Sequence, residues 1–209
     1  THTDKAVCPA LDPNNAFWDT GNHATAGLTG DQLTVSSSDV PSASTGSLSA
    51  YMHSIKATVF GVGKFAAGNL FTGSFEMNIS TMSGKVTFGK SFTFNASPKS
   101  LSFWMKNTQG NITHGDKATG TDKYTAMVLI SDGTTYTVDT TDESSFLTFD
   151  SLATKPGIIA YGYIHSDDSN ADWVKKTVEL TYVDGFENMK PKMITVSFTP
   201  SGYGDYWCG

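Results

Sequence analysis

Across residues 65–106 apolar and polar side chains alternate in short runs, FAAGNLFTGSFEMN and later VTFGKSFTFNASPKSLSFWMK, with glycines at the breaks. Successive side chains of a strand point to opposite faces, so a period of two describes half-buried strands. Nowhere does the chain hold apolar residues at a 3.6-residue period over three turns, which an amphipathic helix would need. The pattern predicts an all-β protein. Strands are expected at 32–36, 48–60, 70–79, 86–94, 101–106, 124–131, 134–139, 158–165, 174–182 and 193–199. The Asp-Gly pair of SDGT predicts a hairpin joining the sixth and seventh of these. Residues 1–31 are rich in turn formers and read as an irregular lead. About ten strands with recurring turn signals predict a sandwich of jelly-roll type. No composition shift divides it, so one domain is expected over 1–209. Phe71, Phe75, Phe88, Phe92 and Phe103 are expected in its core.

Charge narrows the partners. Charged residues make up only 16% of the chain against 12% aromatics, a balance of folded rather than disordered chains. The net charge is −6 and all 14 basic residues are lysines. Without arginine the chain lacks the bidentate fork that dominates phosphate and base-edge recognition, so nucleic acid is not an expected partner and neutral ligands fit better. No apolar run approaches the roughly 20 residues that span a bilayer, and no secretory signal is present. An export or lipoprotein signal upstream, since removed, is compatible with this. Cys8 and Cys208 stand near opposite ends. Two readings stay open for them, a bridge between neighbouring termini or two thiols.

Strand parity picks out the candidate surface. In LSFWMK, Leu101, Phe103 and Met105 share one face, and Ser102, Trp104 and Lys106 the other. A tryptophan on a polar face can stack on a sugar ring while its neighbours bond the hydroxyls, which makes Trp104 and Lys106 the first candidates; the other reading is a face covered by a loop or second layer, with Trp104 packed. Tyr161 belongs to a Tyr161/Tyr163/His165 stripe that lines either a groove or a second buried face. Trp18 and Asn22, in the loop WDTGNH, form either a binding loop or a pin for the N-terminal arm. The polar stretch 107–123 is long for a compact domain and reads either as a functional loop or as plain disorder.

Catalytic and metal signatures are weaker. Glycoside hydrolysis needs two carboxylates, roughly 5 Å apart in retaining enzymes and about 6.5–9.5 Å apart in inverting ones. Glu76 and Glu179 are the candidates, both on polar strand faces. Asp168-Ser169-Asn170-Ala171-Asp172 matches half of a calcium loop, but Trp173 stands where that loop needs glycine, so an EF-hand is rejected. No cofactor is expected, with structural calcium on that acidic loop as the alternative. The five histidines show no ligand spacing.

The motifs WDTGNH, AAGNLFTG, FGKSF, SPKSL with its aromatic–Lys pair, and the closing SGYGDYW together resemble the PCMD family, the putative carbohydrate metabolism domains of Bacteroidetes surface proteins. The resemblance spans most of the chain. It implies a jelly-roll-like β-sandwich similar to carbohydrate-binding modules, exported to the cell surface or periplasm, with a lipid anchor as one means of attachment. It carries no catalytic residues across. The family pattern often has Arg-Pro where this chain has Ser97-Pro98. It also continues past the position of Gly209 into a further strand. The expected function is non-catalytic glycan binding, with a glycan-acting enzyme and a structural or adhesion module as alternatives.

Overall fold

The computed structural model describes residues 6–9, 16–59, 62–78, 80–81, 83–113 and 119–202. In chain order the strands are β1 (Trp18–Asp19), β2 (Thr34–Ser37), β3 (Ser49–Met52), β4 (Ser54–Val59), β5 (Val62–Ala67), β6 (Leu70–Asn78), β7 (Ser83–Phe88), β8 (Lys90–Ser91), β9 (Ser100–Asn107), β10 (Tyr124–Ser131), β11 (Tyr136–Asp139), β12 (Ile158–Ser166), β13 (Asn170–Glu179), β14 (Thr181–Tyr182) and β15 (Met193–Thr199). A short helix, α1 (Asn22–Leu28), lies between β1 and β2, and a 3-10 segment runs over Phe149–Thr154. The all-β expectation holds.

The main antiparallel sheet runs in the order β11-β7-β6-β15-β10-β12-β14, with β1 added beside β6 and β8 beside β15. β10 is central because YTAMVLIS is apolar on both faces. Ala126, Val128 and Ile130 pack on one side, and Met127 and Leu129 on the other. The second side is covered by the 3-10 segment, whose Leu152 is fully buried, together with Tyr136 and Phe149. The first side is covered by a two-stranded antiparallel ribbon of β9 and β13, which sets Leu101, Phe103 and Val178 against Val128, Ala160 and Val196.

The ribbon sits close because Gly162 of β12 lies beneath it. A Cβ at that position would meet the Glu179 carbonyl oxygen at 2.3 Å and Val178 Cγ1 at 2.7 Å. Two further two-stranded ribbons complete the fold. β2 pairs with β3 and β5 with β4, both antiparallel. At the junction, His53 donates its N–H to the Leu33 carbonyl and accepts from the Gly68 N–H. The N–H and C=O of one strand residue point to the same side. So β2 and β5 occupy one edge of the continuous 49–59 stretch.

Two sequence expectations are corrected. SDGT does not join a hairpin: β10 is already paired on both sides, with β12 and β15, and β11 pairs with β7 instead. Phe92 is not core but 46% exposed. β7 ends at Phe88, and Gly89, at φ +111, breaks the alternation before the two-residue β8, so the phase is lost. Cys208, and with it the bridge to Cys8, lies outside the described residues, as do His2, His114 and most of SGYGDYW.

Candidate functional site

β9 carries Trp104 and Lys106 on the face turned away from the sheet, because Leu101, Phe103 and Met105 take the inward positions. Trp104 is 40% exposed and pairs in register with Lys175 of β13, while Ser102 Oγ bonds Thr177 Oγ1 at 2.9 Å one step along. Beyond Trp104 the ribbon opens onto a cleft of about 730 Å³. One wall runs from Phe103 to Gly110, with Asn170 and Trp173 of β13. The opposite wall runs from Ser49 to Ser54 with Asp39, and the floor is the end of the main sheet at Tyr124, Phe198 and Pro200. The cleft therefore lies between β3 with the residues that follow it and β9 with the residues that follow it.

Its lining combines aromatic surface with fixed polar groups. Tyr51, 54% exposed, stacks on His53 with ring centroids 5.5 Å apart. Asp39 accepts from Trp173 Nε1 at 2.9 Å and from Lys106 Nζ at 2.5 Å. The Lys106 ammonium, and after it the Trp173 N–H, hold the Asp39 carboxyl below the usual aspartate range. At the far end Asn107 donates to the Asp168 carbonyl at 2.7 Å and accepts from Asn170 Nδ2 at 2.9 Å. Gln109 Nε2 donates to the Pro200 carbonyl at 2.9 Å. Such a wall stacks flat, weakly polar rings and offers hydroxyl groups fixed partners.

Asp168 is saturated by the protein. Lys176 Nζ lies 2.6 Å from it, and the Ser166 hydroxyl and the Asn170 amide also donate to it. Burial opposes its ionisation, but these three donors outweigh burial and hold it well below the usual range. An ammonium thus stands where the calcium reading wanted a cation. Among the described residues no group of three or more His, Cys, Asp or Glu side chains could hold a metal ion.

The structure brings Trp104 and Lys106 into the cleft and places the other three candidates elsewhere. Trp18 is half-buried, stacked on Phe198 at 6.5 Å and 24° and edge-on to Phe17, so its ring is spent on packing. Asn22 is 1% exposed. Its amide donates to the Val7 and Thr34 carbonyls, and its oxygen accepts from the Leu33 and Thr34 N–H groups, which makes it a structural pin. Tyr161 lies on the opposite face of the sheet, packed with Leu129 and Leu152. Glu76, opposite Lys85 on the main sheet, and Glu179, opposite Ser100 on the ribbon, belong to different sheets and line no part of the cleft.

Tyr51, Trp173 and Asp39 were not among the sequence candidates. Parity would have found the first two. Tyr51 alternates with Ser49 and His53, and Trp173 with Lys175, Thr177 and Glu179, once β13 is started at Asn170 rather than at 174. Asp39 sits in a Ser/Pro/Gly loop and carries no such signal.

A family model for a "putative carbohydrate metabolism domain" (PCMD) matches residues 5–209. Two solved structures share the fold. A putative glycoside hydrolase from Bacteroides thetaiotaomicron superposes with a TM-score of 0.63 at 18% identity, covering 91% of this chain and 59% of that one. Another, from Bacteroides vulgatus, superposes with a TM-score of 0.56 at 15% identity, covering 88% of this chain and 76% of that one. The chain thus spans somewhat under two thirds of the first structure's length. Among curated proteins none matches the sequence.

Proposed function

We propose that this chain, which belongs to the family of putative carbohydrate metabolism domains, is a non-catalytic module that binds a glycan in the cleft between β3 and β9. Trp104, Trp173 and Tyr51 supply stacking surfaces, Lys106 supplies donors, and the side-chain oxygens of Gln109 and Asn170 supply acceptors for hydroxyls. The observation that carries the reading is Trp104. It is 40% exposed and lines the cleft together with Tyr51 and Trp173, so several aromatic surfaces converge on one concave site beside polar side chains. Export to the cell surface or periplasm, with a lipid anchor on a segment upstream, belongs to the same proposal. It is supported by the family resemblance alone.

A second reading, a glycan-cleaving enzyme, is favoured by the names of the two fold neighbours. It is the weaker one, because among the described residues Asp39 is the carboxylate in the cleft lining, and both its oxygens are bonded. The deciding experiment is an array of plant, host and microbial glycans read with the wild type and Trp104→Ala. Binding that weakens at least about tenfold, or roughly 1.4 kcal/mol, with an unchanged circular dichroism spectrum is the expected result. Silence of the wild type across the array refutes the proposal, and so does equal binding by Trp104→Ala. Turnover of a labelled glycan that disappears in Asp39→Asn establishes the second reading instead.

A further inference from the structure

Asp39 is joined to two residues that are remote in the chain and adjacent only in the cleft. Its carboxylate belongs to the segment connecting β2 to β3, while Lys106 is on β9 and Trp173 on β13, 67 and 134 residues away. Each carboxylate oxygen takes one donor, Oδ1 the indole N–H and Oδ2 the ammonium. The backbone beneath is fixed as well. The Asp39 N–H donates to Ser37 Oγ at 3.1 Å, and its carbonyl accepts from Ser49 Oγ at 2.6 Å, so the last residue of β2 and the first of β3 hold it from both sides. The side chain is therefore presented from a closed turn.

We infer that Asp39 is a positioning residue of the cleft: it fixes the plane of the Trp173 ring and the place of the Lys106 ammonium, and ties the 38–48 loop to the β9–β13 ribbon. The inference rests on the glycan reading for its purpose but not for its test. It also specifies the chemistry at this wall. With its N–H engaged, Trp173 offers a ligand its ring face alone, while Lys106, with three donors and one in use, still has two to give. The ligand at this position therefore presents a flat apolar face with acceptor oxygens at its rim, as an unsubstituted pyranose does. Both charged groups are substantially solvated, at 41% and 55% side-chain exposure, and such pairs contribute little to global stability. The consequence belongs to local order rather than to melting.

The test compares the wild type, Asp39→Ala and Asp39→Asn, the last retaining an acceptor for the indole but no charge for Lys106. Amide hydrogen exchange is read over 38–48 and over β10, acrylamide quenching is read for Trp173 (against a Trp173→Phe reference), and retention is measured on laminarin, xylan and galactomannan gels. In Asp39→Ala, exchange over 38–48 rises about fivefold or more while β10 is unchanged, as expected for opening of a local unit. Quenching of Trp173 rises, and Asp39→Asn restores part of it. Exchange and quenching equal to wild type in Asp39→Ala overturn the inference whatever the gels show. Wild type that no polysaccharide retains counts against the glycan reading, and the exchange arm still decides the role of Asp39.

Discussion

Gly162→Ala is the sharpest test of how the cleft is held in place. Gly162 has no Cβ, and the ribbon backbone occupies the space one would fill, with the Glu179 carbonyl 2.3 Å from the ideal Cβ position. Real Cβ contacts essentially never fall below 3.0 Å. One methyl must therefore push β13 away by roughly 0.7 Å or more, against a backbone atom that cannot rotate aside. Overpacking of this kind costs about 1–3 kcal/mol, and Val178, 2% exposed and also struck, places the case at the upper end. The expected loss is about 2–3 kcal/mol by urea denaturation, near 1 M in midpoint with an unchanged slope. Glycan binding should weaken too, since Trp104 rides on the lifted ribbon. Gly27→Ala is the matched control: it lies within α1 with nothing within 4 Å of its Cβ position, so it should stabilise by about 0.5–1 kcal/mol. A Gly162→Ala protein within about 0.5 kcal/mol of wild type would refute the seating of the ribbon on β12.

Asn22→Ala removes two donors and an acceptor from four backbone groups that are largely buried, and should cost about 3 kcal/mol or more by the same assay; a loss under about 1 kcal/mol would contradict its role as a pin. Acid should weaken the fold through Asp132, Asp139 and Asp168, all held below the ordinary aspartate value of 3.8. A carboxyl whose folded pKa is depressed contributes fully above its unfolded value and loses that contribution as pH falls through the folded one. Urea midpoints should fall slightly from about pH 7 to about 5, where burial and Lys123 hold His165 below the usual histidine range and the unfolded chain takes up the proton first. They should drop further below about 4, and a midpoint that rises on acidification would contradict this sign.

The strands were legible where burial imposes a single phase. 124–131 and 193–199 match β10 and β15 residue for residue, because central strands leave no freedom in register. What escaped was decided by tertiary partners. α1 has seven residues and no side-chain cap, so it carries too few turns to show a period and is held by contacts such as those of Asn22. The SDGT turn has hairpin chemistry, but β15 and β12 outcompete β11 for β10. At the site, parity gave Trp104 and Lys106 and would have given Trp173 and Tyr51. It could not give Asp39, whose place depends on a loop folding back over strands far along the chain.

Among the described residues β3 and β9 are each paired on one side alone, which has a consequence for how the protein behaves in crowded solution. A bare edge is a template for recruiting another chain, and proteins commonly blunt it with charge or cover. Here both strands line one cleft, and the Asp39 loop is fastened to β9 and β13 beside it. The same fastening that orders the walls thus sets charge and loop beside both strands, the kind of cover that discourages self-association, and a ligand lying in the cleft would add to that cover while it is bound.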